Sequence, residues 1–131
     1  MIKIEHLALW VNDLEKQKAF FEKYFHAQAG EKYVNPIKKF ESYFLSFGPG
    51  PRLELMHRPD IGSNPNSSVT AQHLGFIHFA ISVGSKEKVD TLTQQLKSDG
   101  YLLLDGPRTT GDGYYESLIL DGENNRIEIT I

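Results

Sequence analysis

The hydrophobic and polar positions of the chain follow the same order of elements twice. Each half begins with an apolar strand pattern, continues with apolar residues at helical spacing, and ends with three further strand patterns. In the first half these are strands at 2–11, 28–34, 42–47 and 52–57 and a helix at 14–25. In the second half they are strands at 76–83, 101–104, 115–120 and 126–131 and a helix at 86–98. The pattern therefore predicts a β, α, β, β, β order in each half.

A polar segment rich in serine, asparagine, glycine and proline separates the two halves. It predicts a linker at about 59–73, between a first module at about 1–58 and a second at about 74–131. Modules of about sixty residues are small for independent cores. We therefore expect them to pack as one domain, related by a pseudo-two-fold axis.

Four polar residues interrupt the apolar strand patterns. In the strand at 76–83 the odd positions are all apolar, which puts His78 on the opposite face. Glu128 in the last strand, Glu54 and His6 are placed in the same way among apolar neighbours. One such residue is most often a structural histidine or a solvent-exposed glutamate, so the hypothesis depends on all four together.

The spacing of these residues repeats as well. His6 and Glu54 are 48 positions apart, and His78 and Glu128 are 50 apart. Each half offers one histidine on its first strand and one glutamate on its last. A two-fold relation would bring two imidazoles and two carboxylates together, a set that suits a borderline divalent metal ion.

Composition narrows the classes of protein further. The chain has no cysteine, so any metal must be held by nitrogen and oxygen ligands. Its net charge is -3 and it has no Lys/Arg-rich run, which argues against nucleic acid as a partner. No apolar stretch is long enough to span a bilayer and no signal peptide is visible, so we expect a cytoplasmic protein without a membrane partner.

Four segments resemble the vicinal oxygen chelate superfamily, which includes glyoxalase I, bleomycin resistance proteins and extradiol dioxygenases. They are IEHLALWVNDL at 4–14, RLELM at 52–56, GFIHFA at 75–80, and the tail from GDGYYES at 111–117 to DGENNRIE at 121–128. The sequence is most similar to small glyoxalase I-like (lactoylglutathione lyase-like) proteins. The resemblance implies an α+β fold in which two tandem βαβββ modules form a U-shaped mixed sheet around a metal site.

The resemblance also implies a ligand set and a reaction. The metal-ligand positions of the family correspond to His6, Glu54, His78 and Glu128, which would hold one divalent ion of nickel, zinc, cobalt, manganese or iron. A glyoxalase I-type lyase converts the hemithioacetal of a thiol and a 2-oxoaldehyde to a 2-hydroxyacyl thioester through a metal-bound enediolate. Glu128 would be both a ligand and the base that moves the proton. Glu54 is the second candidate for that role.

Other activities of the superfamily remain open. Extradiol dioxygenases and fosfomycin-type thiol transferases use three ligands, and methylmalonyl-CoA epimerases carry an amide at the position of Glu54, so this residue counts against all three. A non-catalytic module that binds a small ligand is a further alternative. Four ionisable groups that face one cavity cost folding free energy unless a cation balances them, which favours the metal-dependent enzyme over the binding module.

Three further residues are candidates for substrate contacts. Arg108, Tyr114 and Tyr115 precede or open a late strand, where they could contact an anionic substrate; surface charge and core packing are the alternative explanations. A homodimer is expected from the resemblance, with the metal site either within one chain or shared between two.

Overall fold

The computed structural model describes residues 1–66 and 68–131, which form two compact α+β units, Met1–Ser63 (unit 1) and Asn64–Ile131 (unit 2). In unit 1 the elements are β1 (His6–Trp10), α1 (Leu14–Phe25), β2 (Gln28–Ala29), β3 (Tyr33–Asn35), β4 (Phe40–Ser46) and β5 (Arg52–His57). In unit 2 they are β6 (Phe79–Ser82), α2 (Lys86–Ser98), β7 (Leu103–Thr109), β8 (Tyr115–Leu120) and β9 (Arg126–Thr130). Neither helix in the described part of the chain is long and apolar enough to cross a membrane.

Unit 1 is a mixed sheet with one helix. Its strand order is β1-β5-β4-β2, with β3 paired to β4, and β1 runs parallel to β5. The helix begins where the Asp13 side chain accepts a hydrogen bond from the Lys16 amide (3.0 Å) and ends at His26, which has a left-handed φ of 54°. Leu45, Leu53 and Leu55 on the odd face of the sheet are almost completely buried. The even positions, including His6 and Glu54, therefore occupy the other face.

Unit 2 repeats this arrangement with four strands. The order is β6-β9-β8-β7, with β6 parallel to β9. The helix α2 begins at Ser85, whose hydroxyl accepts a hydrogen bond from the Lys88 amide (3.2 Å). Ile119, Ile127 and Ile129 of the sheet are buried. As in unit 1, the even positions, among them Glu128, lie on the opposite face.

Both helices are confirmed, as is the predicted order of elements apart from one additional strand in unit 1, and two mixed sheets give the α+β class of the tandem βαβββ fold. Several strand bounds were wrong. The predicted strand at 28–34 is two short strands, β2 and β3, so unit 1 has one strand more than the repeat predicts. The strand predicted at 76–83 begins only at Phe79, because its partner β9 pairs with Phe79–Ser82 alone. His78 therefore lies one residue before β6.

The strand predicted at 101–104 extends instead from Leu103 to Thr109. The sequence Asp105-Gly106-Pro107 is typical of a turn, but β7 accommodates it by shifts of register against β8. Gly106 has a φ of 79°, and a Cβ there would lie 2.5 Å from the carbonyl oxygen of Glu116. After the second shift of register, Arg108 pairs with Glu116.

The segment between His57 and Phe79 has no helix or strand among its described residues. Ser67, which belongs to the predicted linker, lies outside the described residues. The boundary between the two units falls inside the segment, after Ser63. Its second part is bound to β9, because the buried Arg126 guanidinium donates to the carbonyl oxygens of Ser68 (2.9 Å) and Ala71 (2.7 Å).

Candidate metal centre

Unit 1 brings His6 and Glu54 together as the sequence predicts. They lie on the neighbouring parallel strands β1 and β5, where Glu54 is opposite Ala8, two residues after His6. The distance from His6 Nε2 to Glu54 Oε1 is 3.8 Å. The nitrogen and the oxygen therefore face the same space, as two ligands of one ion must.

A second carboxylate, Glu5, supports the imidazole of this pair. It hydrogen-bonds with His6 Nδ1 and accepts a hydrogen bond from Arg52 Nε (3.0 Å). Hydrogen bonds from His6 and then from Arg52 lower the pKa of Glu5. A carboxylate on the second ring nitrogen orients a metal-binding histidine and leaves Nε2 for the metal. Sequence reasoning missed Glu5, because alternation in the predicted strand at 2–11 put it on the face opposite His6, whereas Glu5 precedes β1 in the structure.

The aromatic ring of Phe44 packs beside this pair. It contacts the His6 ring edge-on, with centroids 5.3 Å apart, and the Arg52 guanidinium lies 4.1 Å from its centroid. The His6 imidazole is thus held by a carboxylate at Nδ1 and by an aromatic ring at its side.

Unit 2 contains the equivalent pair, His78 and Glu128. The distance from His78 Nε2 to Glu128 Oε2 is 3.3 Å. Glu128 lies in the middle of the sheet, opposite Ala80 of β6 and Leu118 of β8. Although His78 precedes its strand, it still reaches the carboxylate, so the pairing found in unit 1 recurs.

Glu116 is a further acidic residue of unit 2 that sequence reasoning missed. In the β8–β9 hairpin Leu118 is opposite Glu128 and Glu116 is opposite Thr130, so Glu116 shares the face of Glu128. Burial raises the pKa of Glu116, and the hydrogen bond and negative charge of Glu128 raise it further. Counting back across the predicted turn at 121–125 from Glu128 would have placed the two glutamates on one face.

A cavity of about 240 Å³ opens beside this pair, entirely within unit 2. Its lining consists of polar side chains and a few apolar ones: Gln72, Ile77, His78, Asp105, Arg108, Glu116, Ser117, Leu118 and Glu128. Of the three residues predicted to contact substrate, Arg108 belongs to this lining. Its Nε donates to Asp105 Oδ2 (2.7 Å), and this hydrogen bond lowers the pKa of Asp105.

The structure places the two predicted tyrosines outside that lining. The Tyr114 amide donates to Thr110 Oγ1 (2.9 Å) in the turn before β8, and the Tyr114 ring is exposed. Tyr115 occupies an odd position of β8 and hydrogen-bonds with Asp90 of α2. Lys86 Nζ lies 4.7 Å from its ring centroid. Tyr115 therefore packs on the helix side of the sheet, away from Glu116.

The chemistry of each pair fits a divalent ion. Two ligands that bind one ion at about 2.1 Å lie roughly 3 to 3.4 Å apart. The 3.3 Å separation in unit 2 falls in this range, and the 3.8 Å separation in unit 1 is a few tenths of an ångström longer. Within residues 1–66 and 68–131, however, no three histidine, aspartate or glutamate side chains are arranged to hold one ion. What the geometry provides is two separate pairs.

The model of the Glyoxalase/Bleomycin resistance protein/Dioxygenase superfamily matches residues 3–129. The chain belongs to this superfamily. Its members are mostly metal-dependent enzymes that act on small molecules. No curated protein matches the chain.

Solved structures of the superfamily share the fold of this member. The trypanothione-dependent glyoxalase I of Leishmania major is 20% identical, with a TM-score of 0.77 over 99% of this chain and 86% of that one. A variant of the fosfomycin resistance protein FosX from Listeria monocytogenes, in complex with Mn(II) and 1S,2S-dihydroxypropylphosphonic acid, is 23% identical, with a TM-score of 0.73 over 99% and 93%. A glyoxalase/bleomycin resistance/dioxygenase domain from Frankia is 15% identical, with a TM-score of 0.79 over 100% and 98%. At these sequence identities the structural similarity establishes the fold alone.

Proposed function

We propose that the protein is a metal-dependent lyase or isomerase of the glyoxalase I type, with His6, Glu54, His78 and Glu128 as the ligands of one divalent ion. One observation carries this proposal: in each unit an imidazole at or just before the start of the first strand lies within 4 Å of a carboxylate on the last strand. Nickel, zinc, cobalt, manganese and iron all accept two imidazoles and two carboxylates.

The reaction is an isomerisation in which a proton is transferred from one carbon atom to the neighbouring carbon atom. The hemithioacetal of a thiol and a 2-oxoaldehyde loses the proton of the carbon that bears sulfur and gains one at the neighbouring carbon, which yields a 2-hydroxyacyl thioester. A bound divalent ion would supply Lewis acidity to the two neighbouring oxygens. Glu128 is the residue we assign to accept and return the proton, and Glu54 is the second candidate.

Interactions around the two pairs support this assignment. Glu5 orients His6 through Nδ1, and Phe44 packs on the same ring. In unit 2, Glu116 lies on the same face as Glu128, beside a cavity that leaves room for a small substrate.

Metal uptake is the first test. The purified chain is stripped with a chelator, and Tm and bound metal are measured after addition of Ni²⁺, Co²⁺, Mn²⁺, Zn²⁺ or Fe²⁺. We expect one ion per chain and a rise in Tm, both lost in His78→Ala and in Glu128→Ala. His73→Ala is the matched control, because His73 is a half-buried histidine outside both pairs, whose Nδ1 hydrogen-bonds with the Leu74 carbonyl oxygen. A chain that takes up no ion would contradict the proposal.

Turnover is the second test. Thioester formation from methylglyoxal is followed with glutathione and with other small thiols, for each metal that binds. Uptake of the ion without thioester formation would keep the metal site and remove the glyoxalase assignment. Epoxide opening by thiols, epimerisation and catechol cleavage would then be assayed in turn, and a chain inactive in all of them would be a ligand-binding module.

We further propose that the chain forms a homodimer, as the resemblance implies. Large apolar side chains are exposed near both first strands, among them Ile4 in unit 1 and Leu74 and Phe76 in unit 2. Contiguous exposed apolar residues are typical of interaction surfaces. Light scattering after size-exclusion chromatography measures the mass directly, and a single species near 14.9 kDa would contradict a dimer.

A further inference from the structure

A groove on unit 1 lies apart from both His–Glu pairs. Its volume is about 620 Å³, and its lining comes from the turn between β3 and β4 and from the chain directly after β5: Ile37, Lys38, Lys39, Arg58, Pro59 and Asp60. Arg58 comes four residues after Glu54, and four residues of extended chain span about 13 Å. The groove is therefore a different place on unit 1 from the His6–Glu54 pair.

The charged groups of this groove are mostly positive. Arg58 donates two hydrogen bonds to Asp60 (2.6 and 3.0 Å), which hold the pKa of the Asp60 carboxyl below its usual range. Lys38 and Lys39 have no ion-pair partner within residues 1–66 and 68–131. Three positive charges and one negative charge leave the lining with a net charge of +2, on a chain whose net charge is -3. The groove is therefore a local excess of positive charge.

The turn between β3 and β4 presents the two lysines at a cost in backbone conformation. Asn35 Oδ1 accepts a hydrogen bond from the Lys38 amide (3.1 Å), and Lys39 has a left-handed φ of 54°. Glycine and asparagine adopt such a φ more easily than lysine does. The stability of the turn therefore does not explain a lysine at position 39.

The remaining part of the lining is apolar. Ile37 is 93% exposed, and Pro59 lies across the groove in the other segment of the lining. A ligand that covers Ile37 removes apolar surface from water. Sites for small molecules usually have volumes of about 300–1,000 Å³, a range that includes this groove. The groove thus offers positive charge and apolar contact to one small molecule.

We infer that this groove binds a small phosphate monoester, with the phosphate at Lys38 and Lys39 and the apolar or aromatic group on Ile37 and Pro59. A phosphate monoester carries a charge of about -1.5 to -2 at pH 7, which balances the net charge of the lining. A carboxylate would leave one positive charge unmatched. Lysine ammonium groups bind phosphate as point charges, so the turn needs no further geometry. The site does not depend on the proposed metal centre.

The only tryptophan of the chain, Trp10, can report binding at the groove. The Arg58 guanidinium lies 5.5 Å from its ring centroid, so a ligand beside Arg58 changes the surroundings of the indole. Phenyl phosphate is titrated into the chelator-treated chain, and Trp10 fluorescence gives the dissociation constant. We expect saturable binding that weakens with added salt, because the charges are exposed and screened.

Two further probes each lack one part of the proposed ligand. Benzoate has the ring with a single negative charge, and inorganic phosphate has the charge without a ring. We expect each to bind at least about 5-fold more weakly than phenyl phosphate, from the loss of one charge interaction or of the apolar contact. Equal or tighter binding of either probe, or no detectable binding of phenyl phosphate, overturns the inference.

Variants assign the binding to the two lysines. Lys38→Gln and Lys39→Gln should each weaken phenyl phosphate about 3-fold, since each removes one exposed charge. Lys16→Gln is the matched control, because Lys16 is an exposed lysine of α1 in the same unit, outside the groove. It should bind like the unchanged chain. Binding unchanged in both groove variants overturns the inference.

Lys39→Asn separates a role in binding from a role in the turn. Asparagine adopts a left-handed φ more easily, so this variant should keep or raise Tm while it weakens phenyl phosphate as Lys39→Gln does. A lysine that serves only the turn would give the opposite result, a lower Tm with unchanged binding, and that result overturns the inference.

The groove and the proposed metal centre can fail independently. His78→Ala, which should lose the metal, should bind phenyl phosphate like the unchanged chain. Weaker binding in His78→Ala but not in Lys38→Gln would place the phosphate at the metal centre and overturn the groove. A chain that takes up the ion but does not bind phenyl phosphate keeps the metal centre and loses the groove.

Discussion

Glu128 Oε2 lies 3.3 Å from His78 Nε2 although His78 precedes its strand, and Glu54 Oε1 faces His6 Nε2 in the same way at 3.8 Å. In both units the glutamate belongs to the strand that runs parallel to the first strand. In both units the residue opposite the glutamate, Ala8 or Ala80, comes two residues after the histidine, and two residues along an extended chain return a side chain to the same face. This relation underlies the proposed metal centre and the following predictions.

Removal of the carboxylate that orients His6 should weaken metal binding without removing a ligand. Glu5→Gln loses the charged hydrogen bond to Nδ1, and loss of such a partner typically lowers metal affinity about 10- to 100-fold. Isothermal titration with the ion that binds best measures the effect. Glu31→Gln, at an exposed position between β2 and β3, should bind like the unchanged chain. Equal affinity in both variants would mean that Glu5 has no role in metal binding.

The buried hydroxyls of Thr93 and Ser117 join α2 to β8. Their oxygens are 2.6 Å apart, and Thr93 Oγ1 also donates to the Val89 carbonyl oxygen. Thr93→Val leaves the Ser117 hydroxyl buried without this partner and should lower the free energy of unfolding by about 1–3 kcal/mol. The double variant Thr93→Val with Ser117→Ala should recover part of this loss. Urea unfolding of the unchanged chain, the two single variants and the double variant gives the coupling free energy between the two hydroxyls. Losses of unfolding free energy that simply add would contradict this coupling.

Gly106 should not tolerate a side chain. A Cβ there would lie 2.5 Å from the Glu116 carbonyl oxygen, and the φ of Gly106 is 79°. Backbone strain in Gly106→Ala should therefore lower the free energy of unfolding by about 1–3 kcal/mol, and the steric clash should lower it further. Gly113→Ala is the matched control, because Gly113 also has a positive φ, 92°, but nothing within 4 Å of its Cβ. The urea midpoints of the two variants separate the effect of the steric clash from that of the backbone strain. Equal losses would show that the close approach of β7 to β8 has no effect.

Stability should depend on pH through the surface carboxylate of Glu15. A hydrogen bond from Tyr43 (2.9 Å), followed by one from Lys32, lowers its pKa. Because the folded pKa is below the unfolded one, the stabilisation is complete above about pH 4.5 and is lost as the pH falls through the folded pKa. Glu15 is exposed, so the effect should be a few tenths of a kcal/mol.

Tyr43→Phe isolates this contribution. The difference in urea midpoint between the unchanged chain and the variant should be present at pH 7 and should shrink towards about pH 3, where the carboxyl is protonated in both states. Burial, with Glu15 adding to it, raises the pKa of Tyr43 itself, so its own contribution is present below about pH 10 and is lost above. A midpoint difference that grows on acidification would contradict the assigned direction.

Much of the fold could be predicted from local patterns. The bounds of both helices follow from the spacing of their apolar residues and from the caps Asp13 and Ser85. The faces of the two candidate glutamate ligands follow from alternation, because Leu53 and Leu55, or Ile127 and Ile129, must be buried on the side opposite Glu54 or Glu128. The repeat predicts all four residues at one centre, and the structure shows one His–Glu pair in each unit.

The sequence by itself determined the order of elements and the strand faces of Glu54 and Glu128, because both depend on periods of two and 3.6 residues that are visible locally. Only the tertiary structure decided which side chains surround the pairs. Glu5 lies outside the strand, Arg108 enters the cavity lining because β7 absorbs Asp105-Gly106-Pro107 by shifts of register, and Tyr115 packs on α2 instead. Strand alternation specifies a face but not the register between strands, and each shift of register changes the neighbours of every residue that follows.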